Sequence, residues 1–275
     1  MKEIDDNEIR VIGLPSPQPS HGRWWVVMLI LVVLVVIVAV VLGKESREEP
    51  SVDSLPKASK KFEGVKSTSD NEIKVSDTVI DDVPLTLYWL PCLLPEGANT
   101  SLQTGMPDME DTSLLLAVMA ADIRADNGGI VGDFVINGQV LARGERKEGY
   151  CAIFDGVPVL GCDGKAALER VMAEKGSFFR QYVLVCDGEA LPPTPKGKNH
   201  RRALCVMGHS IFVAASADRE SYHDFSTALA DLGVGNAIAL VGSESLLVYR
   251  AEGGLLHSVG TAVDSPNVNF FVWRR

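Results

Sequence analysis

RRALCVMGHSIFVAASADRESYHDFSTALADLGVGNAIALVGSESLLVY, residues 201–249, carries the pattern that decides the fold. Two apolar runs, 203–207 and 210–215, flank Gly208-His209, which predicts a β-hairpin. Ser221 is a natural helix N-cap. Tyr222, Phe225, Leu229 and Leu232 then fall on one helical face before Gly233 stops the helix. A strand over 236–241 follows, then the turn Gly242-Ser243-Glu244-Ser245 and a strand over 246–249.

Working outward, residues 150–154 and 157–160 flank Asp155-Gly156, a strong two-residue hairpin signal. A strand over 182–186 ends at a second Asp-Gly pair, Asp187-Gly188, and 134–136 reads as another strand. Residues 165–175 predict a helix ending at Gly176, and 114–121 predict a third. Strands outnumber helices and do not alternate with them. The expectation is an α+β domain, with a few helices on a single mixed or antiparallel sheet, and not a doubly wound fold.

The 275 residues leave room for one such domain behind a membrane segment. Residues 24–43, WWVVMLILVVLVVIVAVVLG, carry no charge. As a helix they rise about 30 Å, the thickness of a bilayer's hydrocarbon core. Trp24 and Trp25 suit the headgroup layer. The run is too long for a signal peptide's apolar region, and Gly43-Lys44-Glu45 is a poor cleavage site, so an uncleaved anchor is expected. Residues 44–77 are charged, contain Ser and Pro, and are poor in aromatics, which predicts a flexible linker. The organisation read here is therefore a 1–23 tail, a 24–43 transmembrane anchor, a 44–77 linker and a 78–275 domain. Lysines and arginines lie on both sides of the span, so charge does not orient it. The net charge of −10 resides mostly after the span. Such a surface repels phosphate backbones, so no nucleic-acid partner is expected.

Few motifs carry chemistry by themselves. Five cysteines include no CxxC pair, and no HExxH occurs, so neither a metal nor a cofactor is expected. The cysteines read first as buried small hydrophobes, with a Cys151–Cys162 bridge across the hairpin as the alternative in an oxidising compartment. Ser221, His223 and Asp224 resemble a catalytic triad in letters only, because neighbours on one helical turn point apart. Asn127-Gly128-Gly129 permits positive φ and close backbone approach to a ligand. Residues 196–204, KGKNHRRAL, concentrate positive charge, and arginine clamps phosphate in a bidentate manner. Gly242–Ser245 follows an apolar strand, the usual place for a site loop.

In order and spacing these three pieces resemble the phosphodiester glycosidase domain, from about residue 86 to residue 249. The likeness is best in RADNGGIVGDFVINGQVL (124–141), YVLVCDGEAL (182–191) and the opening stretch. Asn127, Gly128 and Gly129 match the family's Asn-Gly-Gly, with Ile130-Val131 in place of two aromatics. Arg201 falls on its arginine. Gly242 and Ser245 fall on its Asp-Gly-Gly-x-Ser turn, with Val241 where the Asp belongs. Phe179-Arg180-Gln181-Tyr182 replaces a Gln-Ser-Gly-Pro stretch. The resemblance implies hydrolysis of sugar-1-phosphodiesters of cell-envelope glycans by a domain on the extracytoplasmic side. Arg201 and the Gly128 and Gly129 amides would hold the phosphate, with Asn127, Gly242 and Ser245 completing the site. Glu244 is the one nearby substitute for the missing acid. The alternative is an inactive relative that binds a glycan or an envelope protein.

Overall fold

The computed structural model describes residues 72–93, 99–242 and 244–275. The chain divides into Met1–Gly64 and Val65–Arg275. The expected tail, the 24–43 anchor and most of the linker lie outside the described residues. Among those described, no helix is long and apolar enough to cross a membrane.

The described chain is predominantly β, with two helices, and this corrects the α+β expectation. The first sheet runs β1 (Lys74–Ile80), β2 (Val83–Leu93), β13 (Ser210–Glu220), β12 (Asn199–Met207), β14 (Asn236–Leu240), β10 (Val183–Cys186), β11 (Glu189–Ala190). The second runs β16 (Leu256–Val259), β15 (Leu247–Arg250), β4 (Leu114–Met119), β17 (Asn269–Arg274), β3 (Thr100–Thr104). The third runs β6 (Gln139–Ala142), β5 (Phe134–Ile136), β9 (Ser177–Gln181), β7 (Gly149–Phe154), β8 (Val157–Gly161). All three are antiparallel. The helices are α1 (Gly164–Glu174) and α2 (Tyr222–Asp231).

Alternation along the strands explains the layering. Leu204, Val213 and Ile238 of the first sheet meet Leu116, Val118 and Phe271 of the second and Phe134, Cys151 and Phe179 of the third in one central core. The other face of the first sheet, through Leu87, Ala203 and Phe212, packs under Phe225 and Leu229 of α2. The third sheet covers its outer face with Val171 of α1. Asp155 (φ 48°) and Gly156 (φ 79°) make the turn their sequence demands. Ser221 caps α2 by accepting from the Asp224 amide.

The helix expected over 114–121 is strand β4 instead. Its run LLLAVM is buried at every position, between β15 and β17, with apolar layers on both faces. A strand covered on both sides loses the alternation that would distinguish it from a buried helix.

Of the two readings of the cysteines, the buried small hydrophobe holds for Cys151 and Cys205, and the alternative Cys151–Cys162 bridge does not form. Cys151 lies opposite Leu160 and points into the core as a free thiol, and burial pushes its pKa up. Cys162, beyond the end of β8, bonds instead to Cys186 at the end of β10, with Cα atoms 6.2 Å apart. That bond ties the third sheet to the first and closes a 24-residue separation, worth about 3 kcal/mol in chain entropy. Replacing both cysteines with Ala is expected to lower the melting temperature by roughly 10 °C, read by calorimetry. An unchanged transition would show that the sheets hold together without the bond.

Candidate functional site

A pocket that brings two arginines together lies at the end of β12 and β14. It is lined by Asp122, Asn199, His200, Arg201, Arg202, Tyr222, Leu240, Val241 and Gly242, with a volume of about 230 Å³. A register irregularity builds it. Arg202 pairs with Ala215 and His200 with Arg219, so Ser216 to Asp218 all lie opposite Arg201. Such a bulge re-aims side chains, and both arginines line one pocket.

The two arginines are held differently. Arg201 stacks on Tyr222, 3.7 Å from guanidinium carbon to ring centroid. It donates from Nε to the Glu220 carbonyl (2.9 Å) and from Nη2 to the Gly197 carbonyl (2.7 Å). Arg202 takes the core-facing side of β12 and is only 5% exposed. Its Nη1 donates to the Ser245 carbonyl and to Ser245 Oγ, the latter at 2.9 Å. No carboxylate pairs with it among the described residues. Burial pulls its pKa below the ordinary arginine value, with Tyr88 acting against this. A buried cation without a counter-ion is costly, and a bound anion relieves that cost.

Asp122 is the one carboxylate in the pocket lining. Its Oδ2 accepts from Lys147 and its Oδ1 from Gln181 Nε2 at 3.2 Å, while Gln181 Oε1 accepts from Lys147 at 2.9 Å. The Lys147 side chain is 4% exposed and that of Asp122 is 42% exposed. Lys147 adopts a left-handed φ of 72° and lies over the Tyr182 ring. A lysine held there against its backbone preference is a feature that clusters at functional sites. Burial lowers the Lys147 pKa, and Asp122 opposes the shift. Burial raises the pKa of Tyr222, which Arg201 partly offsets.

The residues singled out in the sequence are only partly united. Arg201 and Gly242 line the pocket. Gly242 packs so closely on β12 that a Cβ there would fall 2.4 Å from the His200 carbonyl oxygen. Ser245 reaches the pocket through Arg202, and its hydroxyl donates to the Val241 carbonyl at 2.6 Å. Val241 lines the wall and packs on the Met119, Leu246 and Val248 layer. Glu244 is exposed on the turn and is absent from the pocket lining. Its carbonyl accepts from the Thr261 amide at 2.6 Å.

Asn127, Gly128 and Gly129 form the tip of a hairpin closed by an Ile123–Ile130 bridge, one residue beyond Asp122. The Gly129 amide donates to Asn127 Oδ1 (2.9 Å) and the Gly128 amide to the Arg124 carbonyl (2.9 Å). Asn267 anchors the tip by donating to the Gly128 carbonyl at 2.8 Å. Both amides expected to face a phosphate are thus bonded within the turn. Sequence reasoning missed Asp122, Lys147, Gln181 and Tyr222 as site residues, and it reached Arg202 only as part of the basic stretch 196–204. For Arg202 alone a signal existed: it continues the alternation of Leu204 and Val206 on the core face.

No family model matches the chain, and no curated protein matches it in sequence. Solved structures do resemble it. A protein of Synechocystis superposes with a TM-score of 0.54 at 13% identity, over 74% of this chain and 62% of that one, so this chain spans less than two thirds of it. The catalytic domain of zebrafish N-acetylglucosamine-1-phosphodiester α-N-acetylglucosaminidase, auto-inhibited by its pro-peptide, superposes with a TM-score of 0.53 at 12% identity. That match covers 74% of this chain and 82% of the zebrafish domain. The three sheets and two helices of this chain therefore share, distantly, the fold of a phosphodiester glycosidase catalytic domain.

Proposed function

We propose that this domain recognises sugar-1-phosphodiesters of cell-envelope glycans in the Arg201–Arg202 pocket and acts on them as a hydrolase. The observation that carries the reading is Arg202, a buried guanidinium with no carboxylate partner among the described residues, beside a second arginine in one pocket. Chemistry supports it as well. A phosphate ester leaving from a sugar carbon departs as an anion, which arginines stabilise without a proton donor. What remains is to activate water and to stabilise positive charge on the sugar ring, the work of carboxylates. Asp122 on the wall and Glu244 on the neighbouring turn are the candidates. The membrane anchor at 24–43 and the extracytoplasmic placement belong to the same proposal, and the Cys162–Cys186 bond supports an oxidising compartment.

A second reading, binding without turnover, draws on Val241. Its apolar side chain stands where the related turn carries an acid, and Asp122 is already committed to Lys147 and Gln181.

The test gives the purified protein and its Val241→Asp variant a panel of sugar-1-phosphodiesters, and follows free sugar over time. Turnover by the wild type is the expected result. Activity confined to the variant would leave the wild type a binding protein. Silence from both, with binding retained, would also favour that second reading. No binding of any phosphodiester would sink both.

A further inference from the structure

The pocket lining joins two arginines, Arg201 and Arg202, with a single fixed carboxylate, Asp122. Asp122 is held from behind. Lys147 and Gln181 each occupy one of its oxygens, and both are buried, yet 42% of the Asp122 side chain is exposed. A carboxylate oxygen has two lone-pair directions, so each keeps acceptor capacity beyond its one bond. Lys147 compensates its charge locally, so the carboxylate does not cancel the arginines. Resting on the phosphodiester reading above, we infer that Asp122 is the pocket's specificity residue, accepting hydrogen bonds from sugar hydroxyls while Arg201 and Arg202 hold the phosphate.

The lining selects a chemical class: a phosphate ester whose alcohol part carries hydroxyls. An alkyl phosphate of similar bulk would desolvate the exposed lone pairs of Asp122 without supplying a donor, and a site built to bond a hydroxyl rejects analogues that lack one. Lys147 is a positioning residue in this scheme. Its ammonium fixes the rotamer of Asp122 through a side chain that bridges Asp122, Gln181 and the Tyr182 face. Gln181 completes the clamp by donating also to the Ala120 carbonyl at 3.1 Å.

The experiment is calorimetric titration of the whole protein with α-D-glucose 1-phosphate, cyclohexyl phosphate and inorganic phosphate. The wild type is expected to prefer the sugar phosphate over cyclohexyl phosphate by about tenfold or more, the worth of a hydrogen bond to a charged group. Asp122→Asn, which preserves shape, is expected to collapse that ratio towards one while still binding cyclohexyl phosphate. Should Lys147, left without its counter-charge, unfold that variant, Asp122→Asn with Lys147→Met removes both charges and gives the same readout. A merely structural Asp122 would weaken all three ligands together and leave the ratio intact, which would overturn the inference. Equal affinity of the wild type for the two esters would overturn it also, with phosphate recognition by the arginines left standing. If none of the three probes binds, this inference is overturned, while the phosphodiester reading stands or falls on the sugar-1-phosphodiester panel above.

Discussion

Arg202→Met is expected to weaken sugar-phosphate binding by at least thirtyfold and, in the ligand-free protein, to raise the melting temperature by a few degrees. The two effects have one origin. In the free protein the guanidinium is 5% exposed, with Ser245 as its hydrogen-bonding partner and no acidic partner among the described residues. It carries the desolvation cost of a buried ion with little Coulombic return. Methionine fills similar volume with no charge to desolvate, and buried ions replaced by apolar groups often leave a protein as stable or more so. A ligand phosphate supplies the missing counter-charge. Losing one member of a buried charge pair costs about 2–5 kcal/mol, or thirtyfold upward.

Arg201→Ala separates site from fold. Arg201 is half-buried and tied to Tyr222, Glu220 and Gly197, so its loss should weaken the ligand without stabilising the free protein. Titration calorimetry and thermal melts with and without ligand read both quantities. A stability loss in Arg202→Met with unchanged affinity would make Arg202 a structural residue and remove the main support for an anion site.

Legibility in the sequence divides along physical lines. The 222–232 helix and the Asp155-Gly156 hairpin were readable because local chemistry dictates them: a serine cap with 3.6-residue spacing, and a turn requiring positive φ. Strand β4 was not readable, since LLLAVM is buried on both faces and has no period to report. The disulfide escaped for a related reason. Cys162 and Cys186 belong to different sheets, and only the packing of those sheets brings their Cα atoms to 6.2 Å. Within the site, Arg201 and Gly242 could be named because each lies at the end of a legible strand. Asp122 and Lys147 are 25 positions apart in segments with no motif, and their meeting is a product of tertiary structure. The Asn127-Gly128-Gly129 turn shows the converse. Its local geometry was foreseeable, yet its amides are consumed by its own hairpin.

Asp133→Ala is expected to be the most destabilising of these substitutions, by about 3–5 kcal/mol. Arg180 and Asp133 are 10% and 6% exposed at their side chains, with Nε to Oδ2 at 2.7 Å. The second carboxylate oxygen accepts from the Gly144 amide at 3.2 Å, so Asp133 joins β9 to the loop before β7. Removing it strands the Arg180 guanidinium, which Gly132 and Gly164 approach closely. A Cβ on Gly132 would stand 3.1 Å from the Arg180 Cβ, and one on Gly164 3.0 Å from its Nη1. A chain of this size should lose on the order of 10 °C in melting temperature. The double variant Asp133→Ala with Arg180→Met tests the cause, because it removes the stranded charge together with its partner. It should recover more than half of the loss, the signature of coupling in a double-mutant cycle. If the two changes instead add, the destabilisation comes from lost packing and the Gly144 bond, and the ion pair contributes little. Ligand affinity at the Arg201–Arg202 pocket should survive in whatever fraction stays folded. Arg180 and Asp133 line a different depression, with Arg143, Lys165 and Glu169, and neither belongs to the Arg202 pocket lining.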